Sequence, residues 1–165
     1  MTVAVIDTNV VVSGVLTGSP QSPTRIILDA MLAGRMRFAL SVDLLAEYRE
    51  ALLRPAIARR HGLDAGLIDK LLARLAVGAM LHGPPAVATA IAAGTGTVTA
   101  DTAIAVATPA GTAPVLVRDP GDAHVALLAS SLPNVVVVTG DRRLREDLAP
   151  ACSVMSPAEY VSRRA

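Results

Sequence analysis

Residues 135–138 are four consecutive valines, and no other stretch of the chain limits the fold as strongly. β-Branched side chains favour strands, and a strand that is apolar at every position must be covered on both faces. Asn134–Val138 therefore reads as a strand in the middle of a layered structure. Val3–Ile6 has the same character and is ended by Asp7-Thr8-Asn9. Arg37–Leu40 and Pro114–Val117 read as further short strands, and Ser153–Met155 as a weak last one. Helical patterns separate them. Ile26, Ile27, Ala30, Met31 and Ala33 recur at helical spacing from Thr24 to Gly34, and Ser41 caps a helix over Val42–Leu53 that Pro55 stops. Further helices are expected over about Ala65 to Leu81, Asp122–Ser131 and Asp141–Leu148. A terminal helix opens with Ser156-Pro157-Ala158-Glu159, a capping box with proline at the first helical position. Strands alternating with helices predict an α/β fold, a three-layer α/β/α sandwich around a central parallel sheet. At 165 residues, one domain spanning 1–165 with its own core is the expectation.

One segment breaks the pattern. Gly83 to Val117 holds a single charge, Asp101. Within it Val87, Thr89 and Ile91, and again Thr102, Ile104, Val106 and Thr108, alternate with other residues, mostly alanines, around a Gly-Thr-Gly region. A β-hairpin insertion at about 86–113 is predicted, with a low-complexity loop as the alternative. The segment is too poor in large apolar residues to supply the roughly 20 that a membrane span needs. No membrane association is expected. The opening residues lack the pattern of a signal peptide, and Cys152 is the sole cysteine, so no intrachain disulfide forms and a reducing, cytoplasmic setting is the expectation.

In parallel sheets, functional groups gather outside the carboxyl ends of the strands. Acids occupy that edge repeatedly: Asp7 after the first strand, Asp43 and Glu47 on the helix after the second, Asp119 and Asp122 after Val117, and Asp141 after the valines. Carboxylates held together repel one another and resist desolvation unless a cation lies between them. Oxygen-only donors favour Mg²⁺ or Mn²⁺, which can activate water and stabilise an in-line displacement at a phosphodiester. That chemistry needs no lysine or cysteine, and the basic residues are 14 Arg and only Lys70. Plainer readings stand beside this one. Asp7 suits an Asx turn that ends a strand, Asp119 before Pro120 suits a cap, and Asp122 and Asp141 suit first-turn positions of helices. Glu47 lies on a polar stripe, yet it has Ala51 at i+4 and the like charge Asp43 at i−4, so no helical partner explains it. His61, His82 and His124 have no ligand spacing and read as surface or packing residues.

Taken in order, Ile6-Asp7-Thr8-Asn9-Val10, Ser41 through Glu47, Arg118-Asp119-Pro120 with Asp122, and Val138-Thr139-Gly140-Asp141-Arg142 resemble the PIN-domain nucleases, in the branch described as toxins of toxin–antitoxin systems. The resemblance spans roughly 3–82 and 114–162; the segment at about 86–113 departs from it. It implies a metal-dependent endoribonuclease that hydrolyses single-stranded RNA with Mg²⁺ or Mn²⁺. The family's acids fall on Asp7, Glu47, Asp122 and Asp141, which would form both the catalytic and the metal-binding set, with Glu47 a further ligand or a water-orienting group. Asn9 and Thr139 fall on supporting polar positions, beside Asp119. Arg142, Arg143 and Arg145 are candidates for phosphate contacts, with a solvated basic helix face as the alternative. A cognate antitoxin protein and a homo-oligomer are the implied partners. Two other readings remain: a PIN-like module that binds RNA or protein without cutting, and a phosphohydrolase using Asp7 as nucleophile. The last would need a second acid where Asn9 stands.

Overall fold

A computed structural model describes residues 2–82, 104–106 and 115–164. Its centre is a five-stranded, all-parallel sheet of β1 (Val3–Ile6), β2 (Phe38–Ser41), β3 (Met80–His82), β6 (Val135–Val138) and β7 (Ser153–Met155), in the order β3-β2-β1-β6-β7. Helices flank it as an α/β/α sandwich, as expected. The two all-apolar strands lie side by side, with Val3 to Ile6 in register with Val135 to Val138 and every residue of both buried. Strand order runs outward from β1 to β2 and β3, then returns to β6 on the other side of β1. The β1–β6 junction is thus the topological switch point, where an open parallel sheet leaves a crevice at its carboxyl edge.

The helices are α1 (Thr8–Leu16), α2 (Pro23–Leu32), α3 (Val42–Leu53), α4 (Pro55–His61), α5 (Ala65–Gly78), α6 (Ala123–Ser130), α7 (Arg142–Leu148) and α8 (Pro157–Ser162). Ser41 caps α3 by accepting from the Leu44 N–H, and Ser156 and Glu159 form the expected capping box of α8. Tyr48 and Phe38 are both fully buried in the core.

The structure departs from the sequence reading in four places. Thr8–Leu16 is a helix although it is built largely from valine and glycine. Pro55 ends α3 and also opens α4, since proline is tolerated in a helix's first turn, where no N–H bond is lost. The helix expected over Ala65 to Leu81 ends at Gly78, and Met80–His82 turns extended to pair with β2 as the edge strand. Lastly, Val115–Val117 (β5) forms but stays outside the main sheet. It pairs antiparallel with β4 (Ile104–Val106), Ile104 opposite Val117. Of the hairpin predicted inside 86–113, one arm forms as β4, and it pairs with β5, a neighbour that alternation alone does not name. Val87 to Ile91, the other expected arm, lies outside the described residues.

Candidate metal centre at the carboxyl ends of the strands

Asp7 leaves β1 as an extended residue and is 3% exposed. Its N–H donates to the Val138 carbonyl at 3.0 Å, so the last hydrogen bond of the β1–β6 ladder fixes its backbone. Its carboxylate is held by Thr139, which is fully buried and donates from Oγ1 to Asp7 Oδ2 at 2.6 Å. The same hydroxyl accepts from the Asp141 N–H at 2.9 Å, so one side chain couples the end of β1 to the start of α7. Asn9 Nδ2 reaches Asp7 Oδ2 at a long 3.5 Å. Burial raises the Asp7 pKa, the Thr139 and Thr8 hydrogen bonds oppose it, and the charge of Asp141 adds to it.

Glu47 arrives from α3, whose placement is set by the next residue. The Tyr48 hydroxyl, buried with its pKa well raised, donates to the Ile6 carbonyl one residue before Asp7. Glu47 Oε2 and Thr8 Oγ1 are both buried, and neither is held in a hydrogen bond of good geometry among the described residues, although the Thr8 hydroxyl lies near enough to Glu47 to ease its charge. The Glu47 pKa is raised by burial and by Asp7, and lowered by the Thr8 hydroxyl, His124 and Arg54. The proximity of His124 is information the sequence reading missed. Its one local signal is its place two residues after Asp122, in the same helical turn.

Asp119 and Asp141 both act as caps. Asp119 Oδ1 accepts from the Gly121 N–H at 2.9 Å and shapes the 3-10 turn Pro120–Asp122. Asp141 Oδ1 accepts from the Arg143 and Leu144 N–H groups at 2.7 and 3.3 Å, while among the described residues Oδ2 accepts nothing. Asp122 occupies the N-cap position of α6 yet makes no capping bond. Its pKa is pushed up to about 7, first by burial and then by the charges of Asp7, Asp119, Asp141 and Glu47. The predicted acids therefore sense one another, although they come from four separate elements. A cleft of about 720 Å³ is lined by Asp119, Asp122 and Asp141 together with Arg118, Arg142 and Arg143. Asp7 and Glu47 are not among its lining residues. Arg145 is not among them either, and bonds Glu159 Oε2 at 3.3 Å.

Among the described residues, no three carboxylate, imidazole or thiol groups are drawn together as a ready-made metal cage. The chemistry of the donors nevertheless fits a hard divalent cation. The acids are mutually repelling, and among the described residues one oxygen of Glu47 is buried without a partner and Asp122 makes no capping bond. A cation among them would relieve each of these penalties.

A family model described as PIN domain matches residues 3–143. No curated protein and no solved structure matches the chain.

Proposed function

Since the chain belongs to the PIN-domain family, whose members are generally metal-dependent nucleases, we propose that it is an endoribonuclease hydrolysing single-stranded RNA with Mg²⁺ or Mn²⁺. The observation that carries this reading is the convergence of Asp7, Glu47, Asp122 and Asp141 at the switch point, where burial first and then the charges of the other acids push the Asp122 pKa up to about 7. Asp7, Asp122 and Asp141 hold the cation, and Glu47 completes the set or orients the attacking water. When bound, the ion supplies a water acidified toward neutral pH and charge to offset the phosphorane-like transition state. Thr139 keeps Asp7 aimed, and Tyr48 fixes how far α3 brings Glu47. Arg142 and Arg143 line the cleft, where guanidinium groups suit phosphate contacts. Aromatic platforms for bases are absent among the described residues, since Phe38, Tyr48 and Tyr160 are buried. Recognition then rests on backbone and shape.

The biological role proposed is the toxin half of a toxin–antitoxin pair, acting in the cytoplasm, inhibited by a cognate antitoxin and working as a homo-oligomer. No helix among the described residues is long and apolar enough to cross a membrane. A second reading, a PIN-like module that binds RNA or protein without cutting, is favoured by the lack of a ready-made cage among the described residues. One assay separates the two. With Mg²⁺ or Mn²⁺ the protein should cleave a labelled single-stranded RNA, and EDTA or Asp7→Asn should abolish the products. Cleavage that survives both would sink the metal mechanism; binding without any cleavage would favour the second reading.

A further inference from the structure

Asp122 reaches the site from a segment that the central sheet does not hold. The strand leading to it, β5, is hydrogen-bonded only to β4 among the described residues. Neither ladder ties Asp122 to the ends of β1 and β6. One attachment is α6, which packs on β1, β2 and β6. A second is the packing of β5, with Val115 and Val117 buried, against α7, and a third is Arg118, four residues before Asp122. Arg118 Nε donates to Asp147 Oδ1 at 2.7 Å, and its backbone N–H donates to Asp147 Oδ2 at 3.0 Å. Its Nη2 donates to Glu146 Oε2 at 3.0 Å and to the Arg143 carbonyl at 3.3 Å. Every one of these acceptors belongs to α7, the helix that Asp141 caps.

We propose that Arg118 is a positioning residue for the metal centre: its clamp on α7 fixes Asp122 relative to Asp141 and thereby sets the affinity for a divalent cation. The inference rests on the metal-dependent reading above. The clamp is built for geometry as well as charge. Asp147, whose side chain is 9% exposed, has both oxygens filled by Arg118, with no other partner among the described residues, and a guanidinium offers a rigid fork that lysine cannot copy.

The sign of the effect separates positioning from electrostatics. Arg118 lines the same cleft as Asp122 and Asp141, so removing its positive charge should tighten cation binding if Coulomb attraction alone matters. Positioning demands the opposite. The test is Mn²⁺ binding to metal-free full-length protein, read as free Mn²⁺ by electron paramagnetic resonance, with thermal melts confirming that each variant is folded. Arg118→Met and Arg118→Lys should both weaken binding, by about tenfold or more, as loss of a group that orients metal ligands typically does. Arg143→Met, which removes a cleft charge without touching the clamp, should bind Mn²⁺ as tightly as wild type or more so. In an Asp147→Ala background Arg118→Met should have little further effect, which also distinguishes the clamp from a general loss of stability. Binding by Arg118→Met at wild-type strength or better, or strictly additive effects with Asp147→Ala, would overturn the proposal. A wild-type protein that binds no Mn²⁺ would overturn the metal-dependent reading itself.

Discussion

Asp122 carries the greatest electrostatic load of the four acids. Thr139 donates to Asp7 and two backbone N–H groups donate to Asp141, whereas Asp122 makes no capping bond and faces the charges of Asp7, Asp119, Asp141 and Glu47. Its folded pKa of about 7 lies above the unfolded value near 3.9. The folded protein therefore keeps a proton that the unfolded chain has released, and stability falls as pH rises from about 4 to about 7. Asp7 and Glu47, also raised, act in the same direction. In metal-free buffer Asp122→Asn should stabilise the fold at pH 8, by on the order of 1 kcal/mol or about 2–4 °C once solvent screening is allowed for. Near pH 4 the carboxyl is protonated in the folded state and the gain should largely vanish. Equal shifts in melting temperature at both pH values would contradict the shared field, and the gain at pH 8 should come with loss of nuclease activity. All four acids were readable from the sequence because each stands just after a strand or within a short helix that follows one. Arg118 was readable as part of a motif but not as a clamp, since its partners lie 25 to 29 residues further along the chain.

Among the elements that sequence logic missed, α1 shows how packing overrides propensity. Val10, Val11, Val12 and Val15 are poor helix formers, and Gly14 is worse, so nothing local announces a helix in Thr8–Leu16. Gly14 is there for its neighbour: a Cβ at this position would lie 2.8 Å from the Thr24 carbonyl oxygen and 3.0 Å from Leu28 Cβ, both on α2. Close approach of the two helices matters to the site, because the Asp7 carbonyl accepts the first bonds of α1, from Val10 and Val11. Alanine is the better helix former by about 1 kcal/mol, so propensity alone predicts that Gly14→Ala stabilises. The contact distances predict overpacking, with a net loss of about 1–3 kcal/mol in urea unfolding. A stabilised variant would show that α1 has room to move. The misplaced end of α5 has the same lesson. Leu67, Ile68, Leu71, Leu72 and Leu75 keep helical spacing, and only the pairing of Met80–His82 with β2 turns the last residues extended.

At the scale of the whole molecule, the parallel sheet was legible because two all-valine or valine-rich strands can be satisfied only between helical layers. What was not legible is that the chain leaves this sheet after β3 and rejoins it at β6, with Asp122 delivered in between from a separate two-stranded ribbon. Alternating residues in 102–108 mark a strand without naming its neighbour; the pairing with 115–117 comes from tertiary packing, which seats β4 and β5 against α6. This changes what the segment at about 86–113 is expected to do. All five strands of the central sheet lie outside it, so replacing 86–113 by a flexible Gly/Ser stretch of equal length should leave a domain that unfolds cooperatively. The replacement removes β4, however, and β5 then has no strand partner while Arg118 and Asp122 follow directly from it. Mn²⁺ affinity should therefore fall with the ribbon even though the five-stranded sheet survives, and thermal melts read beside Mn²⁺ titration check both halves. Loss of the cooperative transition would place the segment in the core, whereas unchanged Mn²⁺ binding would show that α6 and the Arg118 clamp hold Asp122 at the switch point without the ribbon.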